Sequence, residues 1–285
     1  MRFTKMHGCG NDYVYVDAWE EALPEDLPAL ARAVSDRHLG IGADGLIVVG
    51  PSGAGAEARM RMWNADGSES EMCGNGLRCA AKLAWDHGQL AGVRGPRVET
   101  GAGILRVELL FAAGACTGAA VAMGRPRLTP AAVPVVHAGP GPRLELDLEA
   151  AGHRLRFLAV GMGNPHAVTV VADPDAFPVA TVGPLIEHHA AFPRRTNVEF
   201  TAVGAAEGGL PVIRQRTWER GSGLTLACGT GACAVTVAHI LDRSIPGRAA
   251  IVRLDGGDLH VSWPADDAEV RLEGPAVTVF EGVWG

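Results

Sequence analysis

The sequence predicts an α+β protein of two pseudo-symmetric lobes, each a curled, mostly antiparallel sheet around a central buried helix, with a site in the cleft between the lobes. Three observations predict it. Residues 61–81, RMWNADGSESEMCGNGLRCAA, recur in kind at residues 216–235, RTWERGSGLTLACGTGACAV. Short runs alternating apolar with polar residues, the pattern of half-buried strands, appear along the whole chain. The segment after each repeated motif is small and apolar nearly all round, as enclosed helices are.

The repeat sets the organisation. Trp63 lies ten residues before Cys73 and Trp218 ten before Cys228, and each cysteine opens a Cys-Gly-x-Gly. Asn11 precedes Cys73 by 62 residues and Asn164 precedes Cys228 by 64; Asp44 follows Asn11 by 33, and Asn197 follows Asn164 by 33. Four landmarks in one order at near-equal spacing imply a duplicated unit. The break falls near residues 120–130, around MGRPRLTP. Residues 1–124 with 275–285 then form the lobe carrying Cys73, and residues 125–274 the lobe carrying Cys228. The last run, GPAVTVFEGVW, lies outside the repeat and is expected to return to the first lobe.

In chain order the expected strands are NDYVYVD, GLIVV, ARMRMW, GILRVELL, RLELDLE, HRLRFLAV, HAVTVV, NVEFTAV, VIRQRTW, AIVRLD, DLHVSW and AVTVF, punctuated by Gly, Pro and Asp. Three helices are expected. Residues 24–38 place Leu27, Leu30, Ala31 and Val34 at helical spacing, with Pro24 at the start. Residues 76–87 end before Gly88, a suitable residue just past a helix end, and residues 230–241 follow the second cysteine.

Composition narrows the function classes. With 285 residues, 47% of them hydrophobic and 20% charged, the chain reads as soluble and globular. A net charge of −7 gives no basic footprint for nucleic acid or an anionic membrane. No run is long and apolar enough to span a bilayer, and the N-terminal segment lacks the apolar stretch of a signal peptide. A cytoplasmic location is expected, where thiols stay reduced. Cys9, Cys73, Cys79, Cys116, Cys228 and Cys233 therefore read as buried or catalytic residues; none has zinc-ligand spacing, so no metal is expected. Lysines are few, Lys5 and Lys82, which disfavours a Schiff-base cofactor.

The chemistry rests on Cys73 and Cys228. A thiol just before a helix meets exposed N–H groups and the positive end of the helix dipole, which is expected to lower its pKa. The adjoining glycines allow close approach of backbone to a ligand, and the same N–H groups suit a carboxylate. A lone cysteine before a helix is usually a small buried residue. Two in register suggest a pair acting across one cleft, one thiolate removing an α-proton and the other thiol delivering a proton to the opposite face. Cys79 and Cys233, inside the helices, read as structural, as do Cys9 and Cys116. Trp63 and Trp218 read as core anchors.

The segments KMHGCGNDYVYVD, DRHLGIGADGL, WNADGSESEMCGNG, GNPHAV, TNVEF and ERGSGLTLACGTGACA, spread over the whole length, resemble the diaminopimelate epimerase family. The resemblance implies conversion of LL-2,6-diaminopimelate to the meso form without metal or cofactor, toward lysine and peptidoglycan precursors, by a homodimer. It implies that Cys73 and Cys228 are the catalytic cysteines, Cys228 accepting the proton of the LL isomer and Cys73 donating. Gly74, Asn75, Gly229 and Thr230 would cradle the reacting carboxylate. Asn11, Asn64, Asn164, Asn197, Glu219 and Arg220 would hold the substrate, and His166 with Glu219 would tune the cysteines. Outside those motifs the asparagines would read as turn residues, His166 as a buried histidine and Glu219–Arg220 as a solvated pair. Two positions depart from common members: Gly45, where some carry a substrate-contacting Gln, and Leu224, where many carry Glu. Proline or hydroxyproline racemases, or a broader amino-acid racemase, share the two-thiol logic. A thiol redox or metal-responsive protein and a non-catalytic binding protein are the alternatives from other classes.

Overall fold

The computed structural model describes residues 1–285. In chain order its first elements are β1 (Arg2–Gly8), β2 (Asn11–Asp17), α1 (Leu27–Ser35), β3 (Gly45–Gly50), β4 (Ala58–Asn64), β5 (Glu69–Ser70), α2 (Gly74–Asp86), β6 (Arg97–Thr100), β7 (Gly103–Ala112) and β8 (Ala115–Ala122). There follow β9 (Leu144–Ala150), β10 (His153–Gly161), β11 (Pro165–Val170), α3 (Val179–Glu187), β12 (Asn197–Val203), β13 (Val212–Glu219), β14 (Gly223–Thr225) and α4 (Gly229–Leu241). The last are β15 (Ala249–Leu254), β16 (Gly257–Ser262), β17 (Arg271–Pro275) and β18 (Val277–Val283). The chain divides into two compact units, Met1–Ala122 with Glu273–Gly285, and Met123–Leu272.

Each unit repeats one strand plan. In unit 1, β1 pairs antiparallel with β2, β2 runs parallel to β3, and β3 is antiparallel to β4; β4 then runs parallel to β6, whose antiparallel partner is β7. In unit 2, β10, β11, β12, β13, β15 and β16 follow the same sequence of antiparallel and parallel pairings. The mostly antiparallel, mixed α+β architecture expected from the sequence is thus the observed one. The last run does return: β18 pairs antiparallel with β1.

Why these residues form sheets wrapped on helices follows from burial. β3 is buried along its whole length, and α2 buries a continuous run from Asn75 to Ala81, mostly small or apolar but including Arg78, against β1, β2, β3 and β8. In unit 2, α4 buries Gly231 to His239 against β10, β11, β12, β15 and β16. A helix enclosed on most faces is mostly small or apolar, as α4 is; in α2 the buried Arg78 is satisfied by Asn75 and by the Gly74 and Pro275 carbonyls. Phe157, Phe200, Ile186 and Phe192 form the second core, between α3 and the outer face of that sheet. Trp63, Leu46, Val14 and Val34 form its counterpart beneath α1.

Boundaries depart from expectation in places. α1 starts at Leu27, not Pro24: Asp26 caps it by accepting the Ala29 N–H at 2.8 Å, and Pro28 occupies its first turn. α2 and α4 begin directly after the cysteines, which are themselves the N-caps. α3 carries no helix signal in the sequence: it is rich in β-branched residues and contains Gly183 and Pro184. Trp218 lies on Gly183 so closely that a Cβ there would sit 2.5 Å from its ring, so tertiary packing overrides propensity. Trp63 is fully buried, as an anchor should be, whereas Trp218 is only partly buried and donates its indole N–H to Glu187 at 2.7 Å.

Candidate active site

Each unit gathers polar side chains around its repeated cysteine. Cys73 and Cys228 have extended backbone (φ −135° and −130°), and each sulfur accepts the N–H three residues on, Gly76 at 3.5 Å and Gly231 at 3.3 Å. The sulfur therefore sits at the positive end of a buried helix, as the motif predicts.

In unit 1 a tight hairpin brings Asn11 to the sulfur. Cys9 and Gly10 both have positive φ (54° and 81°), as two-residue hairpin turns require, and Gly8 pairs with Asn11 across it. Cys73 Sγ lies 3.4 Å from Asn11 Oδ1, which also accepts from Asn75 Nδ2 at 3.3 Å. The Asn11 amide donates to Asp44 at 2.7 Å. Asp44 and Asp12 share Arg37, and Lys5 pairs with Asp12 at 2.5 Å. Burial pushes the Asp12 carboxyl up, but hydrogen bonds from Arg37 and Lys5 outweigh it and hold the group below its ordinary range. Tyr13 is buried beside Cys73 and Asn11; burial first, then the nearby sulfur, raises its phenol. Asn64 ends β4 opposite Gly45, its amide on Ser68 Oγ at 3.0 Å, and the adjoining Ala65 N–H donates to Asp44. A Cβ on Gly45 would stand 2.1 Å from the Trp63 carbonyl oxygen, so no side chain fits there.

In unit 2, Cys228 is 5% exposed and its sulfur lies 3.5 Å from Thr230 Oγ1. His166 is fully buried; its Nδ1 is 2.8 Å from Glu199 Oε1 and its Nε2 is 2.9 Å from Asn164 Oδ1. Glu199, also fully buried, accepts Thr217 Oγ1 at 2.6 Å and Gln215 Nε2 at 2.9 Å on its other oxygen. Asn197 donates to the Pro165 carbonyl and accepts the Arg220 N–H at 2.9 Å, which fixes the turn after Glu219. The Arg220 side chain is exposed and donates to the Arg194 carbonyl at 3.1 Å. Leu224 is exposed.

The expectation of an acidified thiol is reversed at Cys228. Burial pushes this thiol well above its ordinary range, and the carboxylates of Glu219 and Glu199 push the same way. The Thr230 hydroxyl and the Gly231 N–H act in the opposite sense without prevailing. Cys228 is thus held in its thiol form.

His166, Glu199 and Cys228 offer a nitrogen, an oxygen and a sulfur all within 4.8 Å of one another, a donor set of the kind that holds zinc. Here the imidazole and the carboxylate meet directly through a 2.8 Å hydrogen bond. Glu199, Thr217, Gln215 and Tyr13 are absent from the residues singled out in the sequence, and Asp44 stands there only as a landmark of the repeat. Glu199 had one signal there, an acid inside the apolar run NVEFTAV. Cys79 and Cys233 are fully buried within the helices, and Cys9 and Cys116 are buried too.

The diaminopimelate epimerase family model matches residues 3–129 and 158–279. The chain belongs to the diaminopimelate epimerase family. A diaminopimelate epimerase of Moorella thermoacetica is 50% identical, over 99% of this chain and 98% of its own. That of Desulfovibrio desulfuricans is 49% identical, over 100% of this chain and 98% of its own. Among solved structures, a Bacillus anthracis phenazine biosynthesis protein matches with a TM-score of 0.69 at 15% identity, covering 99% of this chain and 98% of its own. A probable proline racemase from Agrobacterium radiobacter matches at 0.67 and 16%, covering 100% and 92%. At such identities the neighbours report on the fold alone. By family this chain is an amino-acid epimerase acting on diaminopimelate, and the half-sites around Cys73 and Cys228 are where its chemistry is sought.

Proposed function

We propose that Cys73 and Cys228 together invert one α-carbon of LL-2,6-diaminopimelate to give the meso isomer. The observation that carries this reading is the duplicated cap: each sulfur starts a buried helix whose first N–H groups face it. A C–H bond breaks as an S–H bond forms on the thiolate, and the electron pair passes onto the substrate carboxylate. The second S–H bond breaks as the new C–H bond forms on the other face. Atoms and electrons balance without an oxidant or reductant. After each inversion the two sulfurs have exchanged protonation states, so the same pair serves the reverse reaction. A thiol at Cys228 suits the donor role in one direction of the reaction, and the exchange of protonation states gives that role to Cys73 in the other.

The N–H groups of Gly74, Asn75, Gly229 and Thr230, at the two helix starts, would hold the reacting carboxylate and stabilise charge developing on it. Asn11, Asn64, Asn164 and Asn197 with Glu219 suit the ammonium groups, and the exposed Arg220 guanidinium suits a distal carboxylate in bidentate fashion. His166 and Glu219 would set the protonation of the cysteines. The reaction belongs to lysine and peptidoglycan precursor synthesis. It needs reduced thiols and so a reducing compartment, the cytoplasm. A homodimer is supported by the exposed apolar residues Val277, Val279, Phe280 and Val283 of β18. Size-exclusion chromatography with light scattering would return the monomer mass if that part is wrong.

The deciding experiment follows α-proton loss in D2O by NMR with LL-diaminopimelate and with proline. Exchange with diaminopimelate, lowered at least about 10³-fold by Cys73→Ser or Cys228→Ser, is the expected result. Exchange with proline alone would replace the substrate, and full activity in either variant would end the two-thiol reading.

A further inference from the structure

The two half-sites share one strand register but differ in what lies beneath the sulfur. Leu46 pairs with Trp63 and Ile47 with Met62 in unit 1; Val198 pairs with Trp218 and Glu199 with Thr217 in unit 2. Since the two tryptophans are the repeated ones, Glu199 takes the place of Ile47, Thr217 that of Met62, and Gln215 that of Met60. The glycines confirm the match. A Cβ on Gly76 would lie 2.6 Å from Ile47 Cδ1, and a Cβ on Gly231 would lie 2.6 Å from Glu199 Oε1. Each side chain sits directly under the first turn of its cysteine's helix. By the same pairing, Val14 with Leu46 and Ala167 with Val198, His166 takes the place of Tyr13.

We propose that Glu199 is a positioning residue for the acid–base reaction, orienting His166 and keeping the proton on Cys228, so that two cysteines of a duplicated motif become chemically unequal. This rests on the reading of Cys228 as an acid–base group.

The geometry supports it in three ways. All the partners of Glu199, namely His166, Thr217 and Gln215, can donate to it, the pattern of an accepting carboxylate. Its bond to Nδ1 holds the orientation of the ring, whose other nitrogen faces the Asn164 side-chain oxygen. The polar trio is also not needed for packing. Unit 1 fills the same three places with Ile47, Met60 and Met62, and a buried carboxylate is costly to maintain compared with such an apolar layer. The groups facing Cys228 are His166 on β11, Glu199 on β12, Glu219 on β13 and Thr230 on α4. Of the two carboxylates, Glu199 is the one sealed from solvent, where its charge is least screened.

The test is Glu199→Gln in the full-length enzyme. Thiolate formation at Cys228 is read as the ultraviolet difference between a protein and the same protein bearing Cys228→Ser. In Glu199→Gln the Cys228 thiolate should form about one pH unit lower, because a negative neighbour is gone. The kcat should fall about 10- to 100-fold, a fraction of what acid–base catalysis supplies, with KM moving far less. The thiolate titration of Cys73 should not move. If Glu199→Gln does not fold, the triple change Glu199→Ile, Gln215→Met and Thr217→Met copies the layer of unit 1 and is read the same way. An unmoved Cys228 titration in a folded variant, or an equal shift at both cysteines, overturns the proposal. Retained α-proton exchange in Cys228→Ser overturns instead the reading beneath it, so the two failures are distinguishable.

Discussion

The half-site around Cys73 and the half-site around Cys228 share a backbone and differ in charge. Under the first sulfur lie Ile47, Met60 and Met62, with Tyr13 and Asn11 beside it; under the second lie Glu199, Gln215 and Thr217, with His166 and Asn164 beside it. The duplication kept what the helix start requires, namely the cysteine cap, the glycine that lets a strand side chain approach, and the tryptophan on the strand behind. It did not keep the polarity of the layer beneath. Repetition of the fold therefore supplies two equivalent positions, and the side chains beneath them differ in polarity.

That contrast can be broken most severely by transplanting it. Ile47→Glu places a carboxylate among Met60 and Met62, with no donors to receive it, and should cost roughly 4 kcal/mol in urea unfolding. Little or no loss would mean that unit 1 tolerates the second unit's chemistry.

The next effect lies further along the helices. His239 of α4 is mostly buried, and burial lowers its pKa from 6.5 to about 4; the equivalent position in α2 is Ala84. The folded protein binds this proton less readily than the unfolded chain does. Its stability is therefore full above pH 6.5 and is lost as pH falls toward about 4, by roughly 3 kcal/mol in all. Unfolding midpoints measured between these limits should flatten in His239→Gln; an unchanged slope would assign the acid sensitivity elsewhere.

Comparable in size is the asymmetry of the residues beside the sulfurs. His166→Gln should lower kcat about 100-fold, whereas Tyr13→Phe should lower it less than about tenfold, since only the imidazole lies in a cluster with a carboxylate and a cysteine sulfur. Equal losses would erase the distinction. Smallest is a pair of alanines. Gly231→Ala crowds a carboxylate held by three hydrogen bonds and should cost about 2 kcal/mol, while Gly76→Ala meets only the end of the Ile47 side chain and should cost under about 1 kcal/mol. Thermal melts of the two would reverse in rank if Glu199 were free to move.

Much of this was legible in the residues. Several of the strands alternate in period two, and the twin Cys-Gly-x-Gly segments mark both cysteine clusters in the sequence itself. What escaped did so for physical reasons. α3 is helical because Trp218 covers Gly183, a contact no local window contains. β8 is a run of small residues, ACTGAAVA, with weak strand signal, and its place is set by pairing with β7. Glu199 reads as the outward residue of an alternating strand until the register with Thr217 puts it inside. The equal spacing of Asp44 and Asn197 from their asparagines proved one residue out of step: the tryptophan pairings align Asn197 with Gly45. Asp44 then stands just outside the strand, free to grip Asn11 by its side chain.

One consequence of the strand plan concerns the order of assembly. β1 is flanked by β2, its immediate successor, and by β18, separated from it by the whole of unit 2. On a ribosome every residue of the Cys228 half is made before the Cys73 half can complete its sheet. The half that must wait is the one whose sulfur lies on an apolar floor, and until β18 arrives Phe3 lacks the aromatic neighbour, Phe280, that covers it. Chaperone dependence, if this protein has any, should be traced first to that interval of synthesis.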